Sequence, residues 1–379
     1  MPTVEILKKL VDFPTYAPDG MANFAEFISG ELGRLGFRVT VDKLNNVYGM
    51  REFAVGDGAF LINAHSDTNA PSARWTKDPL HVSMEGDRLY GLGTSDAKGG
   101  IAATLHALED LGECRFRKLE VLFSNYESGG AILDGKRWPG VLYFLTHNHV
   151  DAKIGINVQG TVEANRFMVM HGCGGRVKFD VTTIGKEAHT AEPSWRTLGH
   201  NAIYDMMKVI ETLRRIPPAR MTIDDYTIHT ELNVSMIAGG TAINVVPGEC
   251  KITCERRVLP NEDWDEVKKE VENTLRALRG IEFKVDYDEP QRSYLIDRAD
   301  SVVALAVTSV RQALGYTPKF KISSYRTDSM YLDQLAGIKT FMMGPGEGIA
   351  IEKKPDEYVS ARRIEEFSRI MRHMLTKSP

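Results

Sequence analysis

A histidine and an aspartate two residues apart, His65 and Asp67, follow a short apolar run at residues 60–64. Side chains two residues apart on an extended backbone lie on the same face. A metal-bound imidazole usually needs a carboxylate or a carbonyl to orient it. The pair therefore has the residue types of a metal ligand and its supporting neighbour, although a polar surface turn would explain the same sequence.

A second acidic side chain, Asp96, lies in the glycine-rich sequence GLGTSDAKGG at residues 91–100. Such a stretch is typical of a connection between a strand and a helix, with an acid near the helix N-cap. The chemical role of Asp96 therefore depends on whether the fold brings it to His65.

The segments that must position these side chains alternate between strands and helices. Residues 60–64 and 119–124 have the apolar character of buried strands, and residues 100–111 that of a helix. This alternation predicts an α/β fold with a largely parallel sheet and helices on both faces. A polar pair at the carboxyl end of a strand then lies where open α/β sheets form their ligand crevice.

The alternation of buried strands and helices gives way to a different pattern after Gly172. Alternating strands and amphipathic helices are predicted, in order, at residues 177–183, 198–216, 232–237, 250–257, 263–278 and 281–287. This succession predicts an inserted α+β domain with ferredoxin-like order at residues 174–288. The larger domain, which carries the metal-site motifs, is then discontinuous and comprises residues 1–173 and 289–379.

Composition argues against two classes of partner. The chain has 379 residues, with 47 basic and 51 acidic side chains and a formal net charge of -4. Without a basic face, neither nucleic acid nor a membrane is an expected partner, and a small-molecule substrate fits better. The N-terminal segment has no export signal, and four scattered cysteines do not make a disulfide framework, so a cytoplasmic location is expected.

Taken together, the two motifs resemble the first two metal-binding motifs of the zinc aminoacylase and carboxypeptidase family, the M20 peptidase clan of acetylornithine deacetylase-like enzymes. Similar segments follow along the chain: GKEAHT at 185–190, AINVVP at 242–247, RVLP at 257–260, GPG at 344–346 and PDEYV at 355–359. The resemblance implies that His65 binds one metal, Asp96 bridges two and Asp67 supports His65. It also implies a cis peptide bond after Asp96.

The same resemblance implies substrate-binding roles for residues in the later motifs. His189 would reach from a partner subunit to an oxyanion, while Asn244 and Arg257 would hold a substrate carboxylate. Together with Gly346, these residues indicate a small carboxylate-bearing substrate. A homodimer is expected, formed through the helix at residues 198–216 and the strand at residues 232–237 of the inserted domain, because an exposed edge strand would have an unpaired ladder to satisfy.

The chain departs from the family after its third strand, where two adjacent glutamates are usual. Residues 122–130 read LFSNYESGG and contain one acid, Glu127. An alignment anchored on the buried strand makes Glu127 the general base and puts Ser128 at the ligand position. An alignment anchored on Gly129 instead makes Glu127 the metal ligand.

Two further ligand positions are also altered. One is occupied by Asn157, which is a weak, uncharged ligand, and the other by Lys353, whose ammonium group cannot bind a metal while protonated. The retained donors predict one divalent metal, zinc or alternatively manganese or cobalt, without a second. Lys353 is then either a substitute for the lost positive charge or part of a solvated loop.

Two functions of different classes follow. The first is a metal-dependent hydrolase of an amide or related C–N bond in a small carboxylate-bearing substrate, with Glu127 and Asp67 as catalytic residues. The second is a non-catalytic, ligand-binding descendant of the same fold, since a fold alone does not guarantee activity.

Overall fold

The computed structural model describes residues 2–109, 111–127, 129–224, 226–347 and 354–376. The helices are α1 (Thr3–Val11), α2 (Pro18–Arg34), α3 (Gly99–Leu108), α4 (Gly140–His147), α5 (Trp195–Leu198), α6 (Ala202–Leu213), α7 (Trp264–Arg276), α8 (Ser301–Leu314), α9 (Ser329–Ala336) and α10 (Ala361–Leu375). In the described part of the chain, none of the helices has both the length and the apolar character needed to cross a membrane.

The strands are mostly short and are spread over the whole chain. They are β1 (Arg38–Val41), β2 (Val47–Glu52), β3 (Ala59–His65), β4 (Ser83–Glu85), β5 (Arg88–Tyr90), β6 (Lys118–Ser124), β7 (Ala131–Leu133), β8 (Lys136–Trp138), β9 (Ile154–Asn157), β10 (Val162–Glu163), β11 (Arg166–Cys173), β12 (Gly175–Ile184), β13 (Ala219–Ile223), β14 (Tyr226–Thr230), β15 (Leu232–Gly239), β16 (Glu249–Val258), β17 (Glu282–Tyr287), β18 (Tyr294–Leu295), β19 (Lys319–Ser323), β20 (Lys339–Met342) and β21 (Tyr358–Ser360).

These elements form two compact units. The larger unit comprises residues 1–171, 296–321 and 327–379, and the smaller comprises residues 172–295 and 322–326. The segment expected as an inserted domain, residues 174–288, lies within the smaller unit.

The larger unit is built on a sheet with the strand order β1-β2-β6-β3-β9-β20-β11-β10. Its middle strands β6, β3, β9 and β20 are parallel, and antiparallel strands extend it on both sides. The middle strands are almost continuously buried, as parallel strands covered on both faces must be. The predicted α/β fold with a largely parallel sheet is therefore confirmed.

Helix α3 starts at Gly99, near the end of the glycine-rich stretch, and its first turn packs closely against the end of β9. A Cβ atom on Gly100 would lie only 2.4 Å from Val158 Cγ1, just beyond the end of β9. A glycine is needed at this position because only a residue without a side chain allows so close an approach. The small residues of α3 thus bring the Asp96 turn next to the strand ends.

The smaller unit contains an antiparallel sheet with the order β15-β16-β12-β17. Helix α6 follows β12 and helix α7 follows β16, which is the predicted ferredoxin-like succession. Val177, Phe179 and Val181 of β12 pack with the two helices in one apolar core. The alternate residues of each strand occupy the opposite face. A hairpin of β13 and β14, which the sequence patterns did not predict, precedes the edge strand β15.

Candidate active site

Polar side chains cluster where β3 and β6 end. His65 is the last residue of β3 and pairs in register with Ser124, the last residue of β6. The following residue, Asn125, is buried; its side-chain amide donates to Asn45 O at 2.7 Å, and its main-chain N–H donates to Asn46 Oδ1 at 2.8 Å. These hydrogen bonds hold the turn after β6 in place, since buried polar groups need partners.

His65 and Asp96 are in direct contact. His65 Nε2 lies 3.0 Å from Asp96 Oδ1, and His65 Nδ1 lies 3.1 Å from the main-chain oxygen of Asp67. Because an ionised carboxylate and a carbonyl only accept, both ring nitrogens donate when no cation is bound. Burial works to lower the pKa of His65, but nearby carboxylates, chiefly that of Asp96, outweigh it and hold the pKa well above its usual range.

Asp67 connects His65 to the turn that carries Glu127. Its Oδ1 atom accepts the main-chain N–H of Glu127 at 3.1 Å and lies 3.8 Å from His65 Nδ1. Burial, with the Glu127 charge, raises the pKa of Asp67, although His65 opposes the shift. His65 is therefore oriented by the hydrogen bond that its Nδ1–H donates to the main-chain oxygen of Asp67. The Asp67 carboxylate instead positions Glu127.

The residue before Glu127 contributes to this arrangement through its backbone. Tyr126 has a φ of +59°, in the left-handed region that is costly for a bulky side chain. The chain changes direction at Tyr126, directly after Asn125, which is held in place by its hydrogen bonds to Asn45 and Asn46. Glu127 is thus brought, largely buried, to the same site as His65 and Asp67.

The glycine-rich turn that holds Asp96 is anchored by Glu357. The Glu357 carboxylate accepts the main-chain N–H groups of Gly93, Ser95 and Asp96 at 3.0, 2.8 and 3.1 Å. The peptide bond between Asp96 and Ala97 is cis, as predicted. One buried carboxylate therefore satisfies three main-chain donors of the turn, each of which would otherwise be a costly orphan.

A buried lysine, Lys98, ends the same turn. Its Nζ atom donates to the main-chain oxygen of Phe13 at 2.8 Å. Burial lowers the pKa of Lys98 to about 7 against the opposing effect of the Glu357 charge. Burial, together with the Asp96 charge, raises the pKa of Glu357 to about 7. Sequence reasoning assigned no role to Lys98 or Glu357, although both lie within motifs that it recognised.

The other ligand positions that the family resemblance implies contribute few donors to a metal site. Asn157 ends β9 and donates through its side-chain amide to Ser329 Oγ at 3.2 Å. Its carboxamide oxygen is an uncharged ligand at best. Ser128 and Lys353 lie outside the described residues. Their predicted status as altered ligand positions, and that of Lys353 as a substitute charge, therefore stay predictions.

Among the described residues, His65 and Asp96 are placed to hold one divalent cation. Metal–ligand bonds of about 2.0–2.2 Å place two donors of one metal roughly 3 Å apart, and His65 Nε2 and Asp96 Oδ1 have a separation of 3.0 Å. Within the described ranges, no three His, Cys, Asp or Glu side chains converge closely enough to hold a metal. A single cation at this pair would complete its coordination with water or substrate.

A cleft of about 100 Å³ opens beside these side chains. Acidic, basic and aromatic groups of the larger unit line it, among them His65, Asp67, Asp96, Glu357, Arg74, Lys354 and Trp75. Sequence reasoning did not single out the last three, which lie in segments without a recognisable motif. Groups of both charges around one cleft suit a small polar ligand.

Gly346 packs against the turn that holds Asp96. Its main-chain oxygen accepts the N–H of Val162 at 2.8 Å, and a Cβ atom here would lie 2.0 Å from the main-chain oxygen of Ser95. Glycine is therefore required at this position for steric reasons. A contact between Gly346 and substrate stays a prediction.

We expect Gly346→Ala to lower the free energy of unfolding by about 1–3 kcal/mol or more, because the methyl group meets main chain that cannot move aside easily. Activity should fall with it, since the clash displaces the Asp96 turn. Gly30→Ala is the matched control, because nothing lies within 4 Å of a Cβ there, and alanine favours a helix by about 0.5–1 kcal/mol. Thermal unfolding of both variants measures the difference, and equal stability would contradict the steric interpretation.

In the smaller unit, His189 and Asn244 lie side by side on exposed loops. The main-chain N–H of Ala191 donates to His189 Nδ1 at 3.1 Å, so the neutral ring carries its proton on Nε2. Asn244 Nδ2 lies 3.1 Å from that Nε2 atom, and an amide turned by 180° would present its oxygen to the ring instead. Arg257 lies on β16, with Nη2 3.4 Å from Glu255 Oε1.

Comparison with known proteins identifies the family. The model of peptidase family M20/M25/M40 matches residues 61–377. The acetylornithine deacetylase of Salmonella paratyphi B is 24% identical, over 96% of this chain and 94% of the relative. A solved M20 family metallo-carboxypeptidase from Sulfolobus solfataricus superimposes with a TM-score of 0.80 at 18% identity, covering 98% of each chain. An aminopeptidase from Bacillus cereus has a TM-score of 0.75 at 19% identity, covering 98% of this chain and 97% of its own. The chain therefore belongs to peptidase family M20 and is a hydrolase.

Proposed function

We propose that the chain hydrolyses an amide or related C–N bond in a small carboxylate-bearing substrate, such as an N-acyl amino acid or a dipeptide, with a single divalent metal. The observation that carries this proposal is the approach of His65 Nε2 to within 3.0 Å of Asp96 Oδ1, buried beside an open cleft. The deacetylase, carboxypeptidase and aminopeptidase relatives support a substrate of this kind.

His65 would hold the metal through Nε2, in place of the proton that Nε2 carries in the ion pair, and Asp96 through its carboxylate. One nitrogen and one oxygen donor suit zinc, and also manganese or cobalt. A bound divalent metal supplies a polarised substrate carbonyl and an acidified water. The Asp67 carbonyl keeps Nδ1 protonated, so that the other ring nitrogen faces Asp96.

Glu127 would take the proton from the attacking water and deliver it to the departing nitrogen. Its main-chain bond to Asp67 Oδ1 holds it at the site. Glu127 is either the base or a metal ligand, and we take it as the base because the alignment anchored on the buried strand gives it that position.

Recognition of the substrate would fall to the smaller unit. As the family resemblance implies, His189 would reach from a partner subunit, and its Nε2–H would donate to the oxyanion that forms at the attacked carbonyl. The guanidinium group of Arg257 would hold the substrate carboxylate, since its planar fork matches two carboxylate oxygens.

The proposal is tested by metal analysis and a hydrolysis screen with N-acyl amino acids and dipeptides. We expect about one zinc, manganese or cobalt ion per chain, release of an amine product, and loss of both in His65→Ala. His149→Ala is the matched control, because this histidine is exposed. Protein that takes up none of these metals and hydrolyses nothing would instead support the non-catalytic, ligand-binding alternative.

We also propose a homodimer formed through the smaller unit. Its strand β15 lies at the edge of the sheet and exposes Met236 and Ile237, and helix α6 exposes Tyr204 and Met207. An edge strand with large exposed apolar side chains is satisfied by pairing with a second copy around a two-fold axis. The partner of this surface is therefore taken to be the chain itself.

Light scattering at micromolar concentration should give twice the mass of one chain, and Ile237→Lys should reduce it to the monomer. Ile132→Lys is the matched control, since this side chain is 64% exposed, against 60% for Ile237, but lies in the larger unit. A wild-type monomer, or equal masses for the two variants, would contradict dimerisation through β15.

A further inference from the structure

One wall of the cleft is a surface loop that the core does not support. Residues 69–75, here called the cleft loop, begin two positions after Asp67, and all of them except Ala73 line the cleft. Every residue of the cleft loop is exposed or half-buried. A segment with few buried contacts opens at a low cost in free energy unless something outside it holds it. The positions of Arg74 and Trp75 at the cleft therefore depend on contacts made next to the loop.

The carboxyl end of the cleft loop is tied to one side chain, Asp356. Its Oδ1 atom accepts the main-chain N–H groups of Thr76 and Lys77 at 2.8 and 3.1 Å, and its Oδ2 atom accepts the Thr76 hydroxyl at 2.7 Å. The hydrogen bonds from Thr76, that of the hydroxyl first, hold the pKa of Asp356 below its usual range. The carboxylate is therefore charged at neutral pH, and hydrogen bonds to an ionised acceptor are roughly twice as strong as neutral ones.

Other contacts hold the chain before and after the cleft loop. On the amino side, the main-chain N–H of Thr68 donates to Thr15 O at 3.3 Å, and on the carboxyl side that of Leu92 donates to Pro79 O at 2.7 Å. Between these two points, the bonds from Thr76 and Lys77 to Asp356 hold the main chain to the rest of the larger unit. The Asp356 carboxylate thus fixes the loop at the residue that follows Trp75.

The backbone at Asp356 lets two successive acids reach different walls of the cleft. Asp356 has a φ of +56°, in the left-handed region that aspartate and asparagine adopt more readily than most residues. The next residue, Glu357, binds the Asp96 turn through its carboxylate, and Tyr358 then pairs with Tyr90 at the start of β21. The chain is therefore fixed on the carboxyl side of Asp356, which makes this aspartate a firm anchor for the cleft loop.

We propose that Asp356 is a positioning residue for substrate binding, which fixes the cleft loop so that Arg74 and Trp75 hold the substrate beside the metal pair. The proposal rests on the function proposed above. The guanidinium group of Arg74 supplies donors and the indole of Trp75 an apolar face, the two kinds of contact that orient a small polar ligand. Because Asp356 binds Thr76 and Lys77, its loss should weaken substrate binding and spare both the metal and the chemical step. Its neighbour Glu357 has the opposite role, since it anchors the turn of Asp96.

Steady-state kinetics of Asp356→Gly, with the best N-acyl substrate, tests this role. Glycine removes the acceptor and keeps the left-handed backbone accessible. KM should rise about tenfold while kcat and bound metal stay close to wild type, the pattern of lost ground-state binding. Asp356→Asn should restore most of the wild-type KM, because its carboxamide oxygen still accepts the two main-chain N–H groups. Asp134→Gly is the matched control, since it makes the same substitution at an exposed position with a φ of +51°.

Limited digestion with trypsin, followed by mass spectrometry, tests the same contact without turnover. Cleavage after Arg74 should be several-fold faster in Asp356→Gly than in wild type or Asp134→Gly, because a protease cuts a loop when it opens. A wild-type KM in Asp356→Gly overturns the positioning role, and so does a fall in kcat and bound metal at unchanged KM. Failure of the proposed function gives a different result: the wild-type chain hydrolyses nothing, yet Asp356→Gly is still cut faster after Arg74. Equal cleavage of all three proteins overturns the anchoring of the cleft loop itself.

Discussion

Glu127→Gln should lower kcat by about 10²- to 10⁴-fold, the range typical of losing a general base. The substitution keeps the size of the side chain and leaves intact the main-chain N–H that donates to Asp67 Oδ1. The fold should therefore be retained. Single-turnover hydrolysis of the best N-acyl substrate, with circular dichroism to confirm folding, measures the effect.

The same variant separates the two roles open to Glu127. If Glu127 is the base, Glu127→Gln keeps its metal while losing activity. If it is a ligand, bound metal falls together with activity, because a neutral amide binds a cation less well than a carboxylate. Glu113→Gln, at an exposed position of the same unit, is the control and should change neither. Full activity in Glu127→Gln would exclude both roles.

Glu357→Ala should lower the free energy of unfolding by about 3–5 kcal/mol, because it leaves several buried main-chain donors unsatisfied at about 1–3 kcal/mol each. It removes the acceptor of three main-chain N–H groups in the Asp96 turn, and it leaves the buried Lys98 without its nearby carboxylate. Denaturant unfolding measures the loss. Metal affinity should fall as well, since the anchor of Asp96 is gone.

Glu357→Gln should be intermediate, because a carboxamide offers one acceptor oxygen where the carboxylate offers two. Glu26→Ala, at an exposed position on α2, should stay within about 0.5 kcal/mol of wild type. A Glu357→Ala protein as stable as Glu26→Ala would show that the turn does not depend on this carboxylate.

Local pattern was sufficient for most of the elements in both units. The apolar run at residues 60–64 became β3 (Ala59–His65), and the periodic segment at 263–278 became α7 (Trp264–Arg276). Boundaries moved by a few residues, because the ends of helices and strands depend on capping contacts. The sequence analysis missed the β13–β14 hairpin, although its two five-residue strands, ARMTI and YTIHT, have the alternating burial of half-buried strands.

The candidate site was less predictable than the fold, and Asp67 shows why. Its position two residues after His65 predicts support for the imidazole, which its main-chain oxygen provides at 3.1 Å. The carboxylate, however, accepts from Glu127, 60 residues further along. That partner depends on the turn after β6, which Asn125 anchors through side-chain and main-chain bonds.

The sequence by itself determined the order of the elements, the strand end that carries His65 and the glycine-rich turn that carries Asp96, because periodicity and turn chemistry act over a few residues. Only the tertiary structure brought Glu357 to the Asp96 turn, where it binds Gly93, a residue 264 positions earlier in the chain. Likewise, only the register of β12 and β16 placed Arg176 opposite Arg257. Such contacts depend on how distant segments pack, and a local sequence pattern does not indicate which buried donor will pair with which acceptor.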